Sequence, residues 1–178
     1  MEALSEYLNY TTYLPLVITV FVLLRSWKEI GARWFLVLFF TVECIDLYSY
    51  QYSINWTTHY YGWSMLMSML FFVPSFFRKT IASKLYSISR IDFFNKAMRL
   101  SFTQQEAALL FISFISIVAH LISYTEIYLY VYDIINQPYF RQFILSKLQV
   151  ILHILTCFAI LSFSIKQSEG NNHETART

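Results

Sequence analysis

The chain has 178 residues, of which 57% are hydrophobic, 20% aromatic and 13% charged. Soluble domains carry about 25% charged and about 45–50% apolar residues, so this composition excludes a water-soluble globular domain, and its hydrophobicity excludes a disordered chain. A net charge of +2, from 13 Lys/Arg and 11 Asp/Glu, is too balanced for a nucleic-acid partner. What remains is an all-α, polytopic membrane helix bundle.

A bilayer-crossing helix needs about 20 mostly apolar residues, with its backbone groups satisfied inside the segment. The first such stretch, 7–24, has no Asp, Glu, Lys or Arg and carries Pro15 as a site for a kink. Glu2 and Glu6 precede it, with no positive leading region and no small-residue cleavage site. This reads as a retained first helix rather than a removable signal. A short loop holds Arg25, Lys28 and Arg33 against Glu29. The second stretch, 34–53, is apolar apart from Glu43 and Asp46. An uncharged turn leads to the third stretch, 60–77, where Ser64 and Ser68 could form a packing seam.

The segment 78–103 carries Arg78, Lys79, Lys84, Arg90, Lys96 and Arg99 against Asp92. Ile81, Leu85 and Ile88 recur at helical spacing, followed by Phe93 and Phe94. That pattern predicts an interfacial helix on the inner leaflet, its basic side toward anionic headgroups. A fourth stretch covers 104–126, with Glu126 at its boundary, and a fifth 142–165. A flexible cytoplasmic tail, 167–178, is expected to end the chain.

Charge asymmetry orients these pieces. Short cytoplasmic loops are enriched in Lys and Arg, so the two basic loops belong on one side, and the Glu43 stretch must cross to put them there. Five spans result, with the N-terminus outside and the C-terminus cytoplasmic. Tyr and Trp, among them Trp27, Trp34, Trp56, Tyr60 and Tyr61, mark the boundaries as an aromatic belt would.

Ionisable groups in mid-membrane are functional candidates by default. Glu43 and Asp46 are three apart and share a helix face. His120 lies in a stripe with Ser113, Ser116 and Ser123, and His153 shares a face with Ser146, Gln149 and Cys157. Lipid excludes such groups, so the polar faces of the second, fourth and fifth helices should turn toward one another, leaving the first and third toward lipid. Two acids on one face do not comfortably ionise together in low dielectric. Lys147 is the expected counter-ion for Asp46. Glu43 with His153 or His120 is the expected proton-exchanging pair, since histidine changes charge near neutral pH.

Three functional classes follow. The first is a proton, cation or small-solute transporter, or a membrane subunit of one, with Glu43, Asp46, His120, Lys147 and His153 as relay residues. The second is a non-catalytic sensor, immunity or assembly subunit, in which the same charges clamp the bundle and specify pairing. The third is a haem b redox protein with His120 and His153 as axial ligands. Otherwise no cofactor is implied. Cys44 and Cys157 are lone cysteines in apolar segments, and phosphate-loop, dinucleotide, zinc-protease and nucleophile-elbow signatures are absent from the sequence. A non-enzymatic protein in a homo-oligomer or larger membrane complex fits best. Asn9-Tyr10-Thr11 and Asn55-Trp56-Thr57 match the N-glycosylation pattern, but lie too near the bilayer to be modified.

Overall fold

A computed structural model describes residues 13–175, with side chains through Ser164. All regular structure among these residues is helical. In chain order the helices are α1 (Leu14–Arg25), α2 (Ile30–Ser53), α3 (Tyr60–Phe76), α4 (Arg78–Ser89), α5 (Asp92–Arg99), α6 (Gln104–Val131) and α7 (Ser146–Thr175), the last preceded by a π-helical turn, Phe140–Leu145. The acids at Glu2 and Glu6 and the start of the first expected span lie outside the described residues. Toward the other terminus, α7 runs past 165 to Thr175.

The helix ends follow local chemistry. Pro15 stands in the first turn of α1, where its missing N–H is no loss, so it starts the described helix instead of kinking it. Pro74 removes a donor near the end of α3. Shortly beyond it, α3 gives way to α4 across a 74° bend. Arg90, left-handed at φ 53°, closes α4. Asp92 in the first turn of α5 and Lys96 and Arg99 in its last turn match that helix's dipole. Segment 78–103 is therefore two helices packed as a hairpin, where the sequence suggested one.

Five helices close a ring. Helix α1 packs on α2, α2 on α3, α3 on α6, α6 on α7, and α7 returns to α1. One end of the ring is basic. Here α5 docks on α2, with Trp34 ringed by Phe93 and Phe94, and the Arg33 guanidinium 4.4 Å from the Phe93 ring centre. The opposite end is rich in tyrosine: Trp63 donates to Ser49 at 2.9 Å, and His59 hydrogen-bonds Tyr124 at 3.3 Å.

The apolar core fills the ring toward its basic end. Phe35, Leu36, Leu109 and Ile160 are almost wholly buried, joined by Val22, Phe71 and Phe163. Outward faces are also apolar: Val17, Phe21, Leu24, Phe111 and Phe158 are each more than half exposed. Two helical segments, Gln104–Val131 and Phe140–Ser164, are long and apolar enough to cross a membrane, and α3 with α4 makes a third if the bent pair is one span.

Candidate functional site

Between the core and the tyrosine-rich end the ring helices surround a partly open cavity of about 730 Å³. All five ring helices line it. Pro15 and Leu16 come from α1; Phe39, Val42, Glu43, Asp46 and Tyr50 from α2; Tyr60, Ser64, Met67, Ser68 and Phe71 from α3. Helix α6 adds Ile112, Ser113, Ser116 and His120, and α7 adds Gln149, Leu152, His153 and Thr156. Helical spacing explains the selection. Positions 39, 42, 43, 46 and 50 form one stripe of α2, and 60, 64, 67, 68 and 71 one stripe of α3.

The cavity is graded from end to end. The short 54–59 connection brings Tyr50 of α2 beside Tyr60 of α3, and the His59–Tyr124 bond places the His120 end of α6 at the same level. The carboxylates, His120, Tyr50 and Tyr60 therefore gather toward the tyrosine-rich end, while Phe39, Phe71 and Ile112, with Ser113 beside them, line the end next to the core. Ser68 and Ser116 hydrogen-bond across α3 and α6 at 3.1 Å, so of the two serines noted on the third helix Ser68 makes a seam to α6. Ser64, Ser113 and Thr156 give their protons to carbonyls of their own helices at 3.2, 2.8 and 2.8 Å. Their oxygens keep lone pairs to offer, so the wall is rich in acceptors.

Glu43 and Asp46 are half-buried in this wall. Neither carboxylate has a hydrogen-bond or ion-pair partner among the described residues. His120 is 7% exposed, and its Nδ1 is buried with no partner. The cavity lining contains no Lys or Arg among the described residues.

Four of the five relay candidates thus meet in one cavity: Glu43, Asp46, His120 and His153. The fifth, Lys147, does not. It is exposed, lies off the cavity and makes no ion pair with Asp46. Its place on α7, off the stripe of Gln149, Leu152, His153 and Thr156, keeps it out of the cavity wall. The first and third helices, expected to lie more toward lipid, both contribute wall residues as well.

A second, smaller cavity of about 510 Å³ adjoins the first at the tyrosine-rich end, and the two share Tyr60 and Gln149. Arg141 lines it, donating from Nε to the Tyr61 hydroxyl at 2.8 Å. The π-helical turn at its rim starts on Glu126. That carboxylate accepts from the backbone N–H of Phe140 at 2.8 Å and Arg141 at 2.9 Å. Glu126 is therefore a cap that ties α6 to the α7 entrance, a role beyond that of a boundary residue.

At the basic end, Arg78 leaves the surface set in which its loop position had placed it. It is 0% exposed and pairs with Glu106 at 2.8 Å, itself 1% exposed. Its Nη2 also donates to the carbonyls of Leu100 and Ser101, both at 3.1 Å, and Phe102 and Phe35 stack against the guanidinium. Only Nε lacks an acceptor. Glu106 completes a capping box: its Oε2 accepts from the Thr103 N–H at 2.8 Å, and its own N–H donates to Thr103 Oγ1. Lys79, Lys84, Arg90, Lys96 and Arg99 remain exposed.

Among the described residues, no group of three or more His, Cys, Asp or Glu could hold a metal ion. No known family, curated protein or solved structure matches the chain.

Proposed function

We propose that the chain is a five-span membrane protein, N-terminus outside and C-terminus cytoplasmic, whose central cavity takes up and conveys a proton, a cation or a small solute. The observation that carries this reading is the pair Glu43 and Asp46, lining a partly open cavity without a partner among the described residues. A charge withdrawn from water needs a counter-charge or a proton. Where the described residues supply none, the position suits a mobile cation.

Several features support the membrane setting. The outward faces of the ring are apolar to an extent unusual for a soluble fold, while its carboxylates Glu43 and Asp46 line the central cavity. Helix α2, with 24 residues, is about 36 Å long at about 1.5 Å per residue, enough for a hydrocarbon layer of about 30 Å. Its two acids lower its hydropathy but face the cavity, so they do not bar it from crossing. The 74° bend turns α4 across the bundle direction. Its exposed Lys79 and Lys84, with Leu85 and Ile88 uncovered nearby, suit a helix on the inner leaflet among anionic headgroups.

Reconstitution in liposomes tests the proposal. Proton or cation flux above protein-free background is expected, and the Glu43→Gln, Asp46→Asn double variant should bring it to background. Unchanged flux in a folded double variant would overturn the reading. If the same variant instead lowered recovery of a larger complex, the charges would specify assembly.

A further inference from the structure

We infer that the central cavity is a binding site for an amphipathic organic amine, with one ammonium head and an apolar body of about one aromatic ring. This rests on the membrane-cavity reading above and narrows it from any cation to one chemical class.

Size argues first. At about 730 Å³ the cavity falls within the roughly 300–1,000 Å³ of small-molecule pockets. It would hold about two dozen waters at about 30 Å³ each, far more than a proton relay uses. A bare divalent ion needs six or more oxygens at close range, and the described residues provide no such cluster.

The distribution of the walls argues second. A hydrated inorganic ion gains nothing from Phe39, Met67, Phe71 and Leu152, whereas an apolar body buries its surface against them. At the other end an ammonium meets Asp46 and Glu43, with the Tyr50 and Tyr60 rings at hand for cation–π contact. Ser64, one turn from Tyr60, has its proton bound within its own helix and offers acceptor lone pairs there. Three N–H donors on an ammonium match such a wall.

Position argues third: the acid-bearing end adjoins the second cavity through Tyr60 and Gln149, which line both.

The test uses the full-length purified protein and three probes: 2-phenylethylamine, its uncharged counterpart 2-phenylethanol, and ammonium chloride. Calorimetric titration should show the amine binding at least about tenfold more tightly than either control. Asp46→Asn should weaken the amine by roughly 10- to 100-fold and leave the alcohol unchanged, as expected for loss of a charge-assisted contact. Asp46→Glu, which keeps the charge, should retain binding. Equal binding of amine and alcohol overturns the inference without reference to any variant. So does ammonium binding as tightly as the amine. Absence of amine binding in protein that still carries flux overturns it while leaving the conduction reading in place. Amine binding by protein without flux upholds it and removes conduction.

Discussion

The molecule treats the same problem in two ways at its two ends. At the basic end, Arg78 and Glu106 are enclosed by apolar helices and answered almost entirely by the protein: each other, two carbonyls, a capping box and two aromatic faces. At the cavity, Glu43 and Asp46 are also surrounded by apolar helices, yet nothing among the described residues answers them. A satisfied buried pair holds helices in place. An unsatisfied one beside an open space is what the proposed cation reading accounts for. Whether a charge among apolar helices is structural or functional is therefore decided by its partners, not by its depth.

The comparison breaks most visibly if the pair at the basic end can be cut without harm. Removing one partner of a buried ion pair typically costs about 3–5 kcal/mol. Glu106→Gln is therefore expected to give the largest loss of thermal stability of any single change considered for this chain, followed in detergent by circular dichroism. Arg78→Met with Glu106→Leu should restore much of that loss, because the desolvation of both charges disappears together. A double variant as unstable as the single one would show that the stacking and capping contacts, not the charges, carry the joint.

A smaller effect probes the same joint through its backbone neighbour. A Cβ placed on Gly31 would lie 2.5 Å from Glu106 Oε1 and 3.7 Å from Arg78 Nη1. Since that oxygen is already held by Arg78, it has little room to yield, and Gly31→Ala should destabilise by about 1–3 kcal/mol. Gly62→Ala is the control. Its nearest atom would be a Tyr124 ring carbon at 3.3 Å, which needs to shift by only a few tenths of an ångström. A shift in melting temperature for Gly31→Ala no larger than that for Gly62→Ala would refute the claim of a rigid joint.

How much of this was legible in the sequence follows from what lipid enforces. Charges and imidazoles on one helical face must turn inward, so Glu43, Asp46, His120 and His153 could be collected before any coordinates existed. Arg78 could not be separated from its basic neighbours, because charge counting treats every Arg in a loop alike. Yet a signal was present: Thr103 and Glu106 stand three apart before an apolar run, the pattern of a capping box, and a carboxylate fixed there is a natural partner for a nearby guanidinium. Tyr60 was read as part of an aromatic belt, since a belt and the lip of a cavity look the same in one dimension. The second helix hairpin, broken at Arg90, depends on a left-handed residue that no glycine announces.

The cavity acids should behave with the opposite sign. Glu43→Gln or Asp46→Asn removes a desolvated group that has no partner among the described residues, so stability should hold or rise by about 1 kcal/mol while flux falls. Melting temperature and flux measured on the same preparations give both axes. A loss of stability comparable to Glu106→Gln would make the cavity acids structural and erase the contrast between the two ends.

The smallest effect is the most specific test of side-chain direction. Lys147 is the counter-ion the sequence suggests for Asp46, and that role would need flux, amine binding and stability all to depend on it. Its exposure and its separation from the cavity place it outside that electrostatic circuit. Lys147→Gln should therefore change stability by no more than about 0.5 kcal/mol, as surface substitutions do, and should leave flux untouched. Because exposed pairs are weak even when formed, salt should not alter this outcome. If Lys147→Gln lowered flux as far as Asp46→Asn does, α7 would have to be rotated relative to α2 in the working state, and the unpartnered acids would have a protein counter-ion after all.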